Sequence, residues 1–263
     1  RARTAAPPMR TSKGLPTEVV FIFNNMLKKL CTTHQPDYLA AIFESLGPTI
    51  REQEFADYKA NREAPPPEFS LQVPYAVRLL EAMRIPILQY DGYEADDVIG
   101  TLSCSALQHG VDVVIVSSDK DLLQLVNDRV SMVNPAKNDE WYNPAKVEEF
   151  MGVPPGNIAD LLALMGDAVD NIPGAPGIGE KGARDIIKQF GSVETALDRA
   201  AEVQRKMYRE SLQNNRAQIE LSKRLATVTT NLPLDWSLDA LAVMSFDAAA
   251  LPMHASFQAR PDL

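Results

Sequence analysis

Three tight groups of acidic residues constrain this chain more than any other feature. Their seven carboxylates are Glu94, Asp96 and Asp97 in YEADD, Asp119 and Asp121 in SSDKD, and Asp167 and Asp170 in GDAVDN. Carboxylates this close cannot all stay ionised at neutral pH unless a positive charge lies among them, and hard divalent cations such as Mg²⁺ supply one. The groups therefore predict a metal site. Taken singly, each group is also typical of a solvated helix start, where acidic residues are favoured.

The second acidic group follows the apolar run VDVVIVSS, from Val111 to Ser118, which is typical of a buried parallel strand. Helical and strand patterns alternate around it, which predicts a doubly wound α/β domain. The helical patterns cover 16–30, 71–83 and 94–108 and begin again at Lys120, and the strand patterns cover 38–43, 87–90, 111–117 and 130–134. Open α/β sheets keep their sites at the carboxyl ends of strands, where Asp119 and Asp121 fall.

Two further stretches complete the predicted organisation. Residues 51–69 are polar and contain three consecutive prolines, which indicates a mobile segment rather than a packed element. From Pro144 to Val228 no strand pattern occurs, which predicts a helical subdomain. We therefore expect an α/β core at 1–143, a helical subdomain at 144–240 and a divergent tail at 241–263.

Composition limits the class of protein. A chain of 263 residues with 45% hydrophobic content can bury a sizeable core. No run of about 18 apolar residues occurs, and the start lacks the apolar centre of a signal peptide, so we expect a soluble, cytoplasmic protein with no membrane partner. The two cysteines, Cys31 and Cys104, lie in helical patterns without the spacing of a zinc or redox site, which predicts reduced core thiols.

The net charge of −9 argues against a generic nucleic-acid binder, but the charge is unevenly distributed. Residues 63–170 carry a net −12, whereas 1–62 and 171–230 each carry +3. Cations bound at the acidic groups would neutralise part of the middle segment. The two basic flanks would then be able to hold an anionic polymer.

A glycine-rich loop follows the third acidic group. Gly177-Ile-Gly179-Glu-Lys-Gly182 matches the formal pattern of a dinucleotide-binding loop, but it is preceded by a helical pattern and a proline-broken turn, not by the buried strand which that loop requires. A helix–loop–helix is the better interpretation. Its glycines let the backbone approach an anion, and Lys181 adds charge, which suits a phosphodiester backbone. A plain interhelical turn is the alternative.

Five motifs in order carry a resemblance to a known family: TSKGLPT, YKANRE, YEADDVIGTL, SSDKDLLQLV and LMGDAVDNIPGAPGIGEKGA. Over about residues 1–240, the chain resembles the 5′ nuclease domains of bacterial DNA polymerases I, within the flap endonuclease superfamily. The resemblance implies a PIN-like α/β fold with a mostly parallel sheet and helices on both faces, followed by a helical subdomain. A helix–three-turn–helix motif at about 161–190 would grip duplex DNA, and two divalent metals would support cleavage near 5′ ends or flaps.

The resemblance also implies roles for individual residues. It assigns Glu94, Asp96, Asp97 and Asp119 to a first metal and Asp121, Asp167 and Asp170 to a second. Lys59 and Arg62 match a catalytic basic pair at an arch or gateway near 51–70, while Lys13, Gly177, Gly179 and Lys181 match DNA-binding positions. The implied ions are two Mg²⁺, for which Mn²⁺ substitutes, with K⁺ at the glycine loop. The implied partners are DNA with 5′ flaps or ends and, in a full-length protein, a polymerase domain.

The chain departs from the family pattern at three places. The family begins with a strand carrying an Asp-Gly metal motif, whereas Arg1 stands where that strand should have ended, so we expect one strand and one carboxylate to be missing. Glu44 occupies a position where the family has Asp, one methylene shorter, and we count it as a metal ligand. The end diverges after Ala250. These departures predict either a fragment of a longer protein or a truncated gene product, with impaired nuclease activity.

Two other functions remain open at this point. A structure-selective DNA-binding module with degraded metal sites would keep the glycine loop and lose turnover. A PIN-type ribonuclease would share the carboxylate sheet but would not explain the glycine loop and the long helical region. The main prediction is a metal-dependent 5′ to 3′ exonuclease and flap endonuclease, which hydrolyses DNA during replication and repair.

Overall fold

The computed structural model describes residues 9–243, so residues 1–8 and most of the predicted tail (244–263) lie outside the described residues. The chain divides into two compact units. One contains residues 9–43, 65–88 and 236–243, and the other contains residues 44–64 and 89–235.

Eleven α-helices and five strands form the described part of the chain. The helices are α1 Glu18–His34, α2 Ile50–Glu54, α3 Pro67–Ser70, α4 Val73–Ala82, α5 Ala95–Gln108, α6 Pro144–Met151, α7 Ile158–Met165, α8 Glu180–Phe190, α9 Val193–Asp198, α10 Lys206–Asn214 and α11 Arg216–Ala226. The strands are β1 Ala41–Ile42, β2 Ile87–Leu88, β3 Val113–Val116, β4 Val130–Asn134 and β5 Glu140–Tyr142.

The first unit combines α1, α3 and α4 with a two-stranded parallel sheet, in which Ala41 pairs with Ile87. The spacing of apolar residues along α1 and α4 buries one face of each helix, and Leu27 and Leu80 meet there with Met83 and Ile85. The helices predicted at 16–30 and 71–83 are confirmed. The strands predicted at 38–43 and 87–90 are shortened to two residues each.

The second unit contains the sheet β3-β4-β5 and most of the helices. β3 and β4 pair in parallel, with Val113 opposite Val130, which confirms both strands and their predicted direction. β5 pairs antiparallel to β4 and was not predicted, because its three residues are too few to display a strand period. The helix expected from Lys120 is a 3₁₀ helix, Lys120–Leu125.

Besides α2 and α5, this unit contains helices α6 to α11, and within residues 144–228 the structure has no strand beyond an isolated bridge between Asp167 and Ile172. α7 is buried on every side by its neighbours, which include α8 and α11. A helix that is apolar all round belongs at the centre of a core. The burial of α7 therefore fixes the start of the segment that carries the third acidic group and the glycine loop.

The prediction of a mobile segment at 51–69 is wrong for its first part. Thr49 and Glu52 form a capping box that starts α2, and Arg51 and Tyr58 are 9% and 4% exposed. The polar composition of the segment concealed this packing, because the partners that bury Arg51 and Tyr58 are carboxylates distant in the sequence.

Both cysteines are free thiols within helices, as predicted. Burial raises the pKa of the Cys31 thiol above its ordinary value. Among residues 9–243, no helix combines the length and the apolar content needed to cross a membrane.

Candidate functional site

The first acidic group lies at the start of α5. Glu94 is the N-cap residue and is buried, and Asp96 and Asp97 occupy the first turn. Glu44 reaches the same helix end, where its Oε2 accepts a hydrogen bond of 3.0 Å from the amide of Ala95. Burial, followed by the charges of Asp119 and Glu44, raises the pKa of Asp96 to about 7. Asp96 therefore faces carboxylates from the second acidic group.

The second group lies at the carboxyl end of β3, as the sequence predicts. Asp119 caps the 3₁₀ helix by accepting a 3.0 Å hydrogen bond at Oδ1 from the amide of Asp121. The Oδ1 atom of Asp121 is buried and finds no hydrogen-bond partner among residues 9–243. Burial, and then the charge of Asp119, raises the pKa of Asp121 to about 7, with smaller contributions from Asp167 and Asp170. The second group therefore lies near Asp167 and Asp170 of the third group.

The third group lies in a tight turn after α7. Asp167 and Ile172 exchange backbone hydrogen bonds of 3.0 and 2.8 Å, and Asp167 Oδ1 accepts a 2.7 Å bond from the amide of Val169. Gly166 and Gly174 close the turn with φ of +72° and +67°, and a Cβ at Gly174 would lie 2.4 Å from the Gly166 nitrogen. Only glycine permits this backbone contact.

Basic side chains lie among these carboxylates. Lys59 Nζ is 2.9 Å from Glu94 Oε2, Arg62 bonds Asp170, and Lys120 Nζ is 2.9 Å from Asp167 Oδ2. Burial alone would raise the pKa of Asp167, but Lys120 and backbone amides hold it below its ordinary value. The predicted basic pair, Lys59 and Arg62, therefore contacts the acidic groups directly.

Backbone contacts fix the segment that carries this pair. The Lys59 amide donates to the Asp170 carbonyl at 2.9 Å, and Lys59 adopts a left-handed φ of +56°. Asn61 Nδ2 donates to the Ala168 carbonyl at 2.7 Å. Left-handed backbone at a non-glycine residue costs of order 1 kcal/mol and persists only when its surroundings enforce it. The segment is therefore held in place over the third acidic group.

The sequence did not reveal three residues of this site. Arg51 and Thr49 bond the first acidic group, and Tyr58 places its hydroxyl 3.2 Å from Glu94 Oε2 and 3.4 Å from Asp170 Oδ2. Burial, and then the charge of Glu94, raises the pKa of Tyr58 above its ordinary value. Tyr58 stands in the quoted YKANRE motif, and its aromatic ring within a polar stretch was the available signal.

The glycine loop joins α7 to α8, which confirms the predicted helix–loop–helix and excludes a dinucleotide-binding strand–loop–helix. Gly177 has φ of +77°, and Gly179 is the N-cap of α8 with open space where a Cβ would stand. Gly182 has a different role, because a Cβ there would lie 2.5 Å from the Tyr208 hydroxyl. Lys181 is exposed and forms no ion pair within residues 9–243.

Lys13 belongs to the other unit. It lies in an exposed turn closed by Gly14, which has φ of +83°, between the bridged residues Arg10 and Pro16.

The donor set fits hard divalent cations. It consists of carboxylate oxygens, which Mg²⁺ prefers, and it includes the buried, unpartnered oxygen of Asp121. Within residues 9–243, no three acidic, histidine or cysteine side chains are arranged closely enough to hold a metal ion as they stand. The lysine and arginine partners instead supply the positive charge among the carboxylates.

Sequence models of two domains of one family match this chain. The 5'-3' exonuclease N-terminal resolvase-like domain matches residues 1–152, and the 5'-3' exonuclease C-terminal SAM fold matches residues 153–249. Together they cover both the acidic groups and the glycine loop.

Individual proteins show the same similarity. A 5'-3' exonuclease of Aquifex aeolicus is 41% identical over 243 residues, which cover 92% of this chain and 82% of that protein. DNA polymerase I of Bacillus caldotenax is 40% identical over 250 residues, which cover 94% of this chain but only 28% of the polymerase. The chain thus spans about a quarter of the polymerases that it matches.

Among solved structures, the bacteriophage T5 D15 flap endonuclease in a complex with DNA and metal ions has a TM-score of 0.69. The sequences are 23% identical, and the match covers 83% of this chain and 82% of that chain. At this identity the likeness establishes the fold.

Proposed function

Because the chain belongs to the 5'-3' exonuclease family, we propose that it is a metal-dependent nuclease that hydrolyses DNA phosphodiester bonds near 5′ ends and at 5′ flaps. The observation that carries the proposal is the arrangement of the first and third acidic groups, in which the Tyr58 hydroxyl lies between Glu94 and Asp170 and the same two carboxylates bond Lys59 and Arg62. No serine, cysteine or histidine nucleophile is required by this arrangement, since water is the attacking group.

The carboxylates would hold two Mg²⁺ ions, with Mn²⁺ as a substitute. Glu94, Asp96, Asp119 and Glu44 would serve the first ion, and Asp121, Asp167 and Asp170 the second. When bound, such ions lower the pKa of water and stabilise charge on a reacting phosphate. Asp97 instead bonds the guanidinium of Arg51.

Lys59 and Arg62 supply positive charge at the same place. In this structure they neutralise Glu94 and Asp170, with Arg62 about half exposed. A phosphate that approaches the carboxylates would compete for both cations, since charge-assisted hydrogen bonds to phosphate are strong. We propose that they hold the scissile phosphate and stabilise the negative charge that develops on it.

The glycine loop would bind the duplex away from the cleaved bond. The amides at the start of α8 point out of a helix N-terminus, and open space at Gly179 lets a phosphate approach them. Lys181 adds an unpaired charge on the first turn of the helix, and Lys13 would contribute a further phosphate contact. Such contacts hold the backbone without reading bases.

The resemblance also implies K⁺ at this loop. Two of its carbonyls are already engaged, since Ser211 Oγ donates to Pro176 O at 2.7 Å and Gln218 Nε2 donates to Gly174 O at 2.8 Å. A K⁺ ion would therefore have to use other carbonyls of the loop.

The proposed activity suits replication and repair, in which 5′ flaps are removed. The relatives with matching domains come from bacteria, so action on the chromosome would take place in the cytoplasm. The polymerase relatives place this domain in a longer protein, and a polymerase region is the partner that we propose for the full-length protein.

An assay on three substrates tests the proposal. The chain is incubated with a 5′-flap duplex, blunt duplex or single-stranded RNA, with Mg²⁺, Mn²⁺ or EDTA, and scored separately for cleavage and band shift. We expect Mg²⁺-dependent flap cleavage. A band shift without cleavage in either Mg²⁺ or Mn²⁺ would favour the DNA-binding module, and preferential cleavage of RNA would favour the ribonuclease.

Lys181→Glu is expected to weaken duplex binding about tenfold and to reduce the slope of log affinity against log salt by about one, because one phosphate contact no longer releases a counterion. Fluorescence anisotropy over a salt series measures both quantities. Lys188→Glu makes the same charge change at the other end of α8 and should leave the slope unaltered. An unchanged slope for Lys181→Glu would reject the proposed grip.

A further inference from the structure

One arginine is buried beneath the first acidic group. The Arg51 guanidinium bonds Asp97 with two parallel contacts, Nη1 to Oδ2 at 2.5 Å and Nη2 to Oδ1 at 2.7 Å. Its Nη1 is also 3.2 Å from Glu94 Oε2. Burial would lower the pKa of Arg51, but the hydrogen bonds and the charge of Asp97 raise it above its ordinary value. Arg51 is therefore a permanent cation at this place.

Both oxygens of Asp97 accept hydrogen bonds from protein donors, as those of Glu94 do, but Asp97 is the carboxylate that pairs with both Nη atoms of the buried arginine. Besides the two bonds from Arg51, Oδ1 accepts a 2.7 Å hydrogen bond from the amide of Thr229. Asp97 is 5% exposed, in contrast to Asp119, which is exposed. Asp121 offers an unpartnered oxygen, whereas Asp97 offers none. Asp97 thus has the contacts of a structural anchor, not of a metal ligand.

The same contacts tie three parts of the chain together. Arg51 Nη2 donates to the Thr227 carbonyl at 2.6 Å, so the guanidinium joins α2, α5 and the segment after α11. Gly100 makes room for this segment, because a Cβ there would lie 2.7 Å from Val228 Cγ1. The Leu232 amide donates to Thr101 Oγ1 at 3.2 Å, which extends the contact along α5.

We propose that Arg51 and Asp97 are a positioning pair that fixes the first turn of α5, so that Glu94 and Asp96 are held ready for a divalent cation, and that Asp97 is not itself a ligand. The inference rests on the proposed function. Arg51 acts on Glu94 directly through the 3.2 Å contact, and Thr49 Oγ1 holds the other Glu94 oxygen at 3.3 Å. Outer-shell partners of this kind orient ligands and tune the affinity for a metal.

A positioning role and a ligand role make opposite predictions for Arg51. If Asp97 were a ligand, removing the arginine would free a carboxylate and remove a competing positive charge, so a divalent cation would bind more tightly. If the pair positions the helix start, removing either partner loosens Glu94 and Asp96, so the cation binds more weakly.

The experiment titrates Mn²⁺ into the DNA-free protein by calorimetry, for the wild type, Arg51→Met, Asp97→Asn and the double variant. We expect each single variant to weaken Mn²⁺ binding by about 10- to 100-fold. The double variant should be no weaker than the singles, since both remove one interaction. Binding to flap DNA in EDTA should be retained, because the DNA-gripping groups are untouched.

Two controls separate this effect from general loss of stability. Lys223→Met removes a cation from another buried ion pair, with Asp160, and should lower the melting temperature without changing Mn²⁺ affinity. Arg224→Met removes an exposed partner of Glu54, at 2.8 Å, and should change neither. Arg51→Lys keeps the charge but cannot form two parallel bonds, so it should weaken Mn²⁺ binding in the same direction even if Arg51→Met does not fold.

Tighter Mn²⁺ binding by Arg51→Met together with weaker binding by Asp97→Asn would make Asp97 a ligand and overturn the proposal. Unchanged Mn²⁺ binding in the folded variants would also overturn it. If the variants give either of these results while the wild type binds Mn²⁺ and cleaves flaps, the positioning role is rejected and the proposed function stands. A wild type that neither binds Mn²⁺ nor cleaves would reject both.

Discussion

Asp121→Asn is expected to lower flap cleavage by at least about 10³-fold while DNA binding in EDTA is retained. Asp121 has a buried Oδ1 without a hydrogen-bond partner among residues 9–243, and a bound cation would offset the cost of burying this charge. The amide keeps the shape of the side chain and removes its charge. Cleavage of a labelled 5′-flap duplex in Mg²⁺ and anisotropy in EDTA measure the two effects.

The stability of the metal-free protein provides an independent readout for the same variant. Because asparagine removes a negative charge from beside Asp119, the melting temperature of Asp121→Asn in EDTA should equal or exceed that of the wild type. Asp128→Asn, an exposed position shortly after the same 3₁₀ helix, should change neither cleavage nor melting. A clear fall in melting temperature for Asp121→Asn would mean that this carboxylate supports the fold and does not serve a metal.

Lys59→Met and Arg62→Met are each expected to lower kcat by roughly 10² to 10³, the usual scale for one group that stabilises transition-state charge. KM for the flap substrate should change little, because the duplex is gripped elsewhere. Lys59→Met also removes the cation that pairs with Glu94, and Arg62→Met removes the one that pairs with Asp170. Because the freed carboxylate can bind Mg²⁺ without competition, the Mg²⁺ concentration for half-maximal activity should stay the same or decrease. Steady-state kinetics at several Mg²⁺ concentrations test both statements.

The control for these two variants is Arg129→Met, which removes an exposed arginine that bonds Asp112 at 2.6 Å. It should leave kcat unchanged, since surface ion pairs contribute little. Full recovery of Lys59→Met or Arg62→Met at high Mg²⁺ would show that these residues assist metal binding and not the reaction.

Local patterns predicted those parts of the site that depend on short stretches of chain. The apolar run from Val111 to Ser118 predicted β3, and Asp119 and Asp121 lie at the carboxyl end of that strand. The helix predicted at 94–108 is α5, with Glu94 as its N-cap. Such signals are strong because a strand end or a helix cap is set by neighbours in the sequence.

The other parts of the candidate site depend on interactions between residues that are distant in the sequence. Nothing local distinguishes Asp96 from Asp97, which are adjacent and chemically identical, yet one faces Asp119 and the other faces Arg51. The burial of Arg51 follows from carboxylates more than forty residues away in the sequence. A single sequence records the polarity of such residues but not the partner that compensates their burial.

The turn between the third acidic group and the glycine loop sets a fixed length within the second unit. Residues 171–176 have little freedom, because Gly174 N donates to Ser222 Oγ at 3.0 Å, the Ala175 amide donates to the Leu164 carbonyl at 2.8 Å and Ser211 Oγ donates to Pro176 O at 2.7 Å. The spacer therefore holds Asp170 and Gly177 at a fixed separation. A nuclease built in this way would cut at a constant number of nucleotides from the duplex contact, whatever the length of the flap.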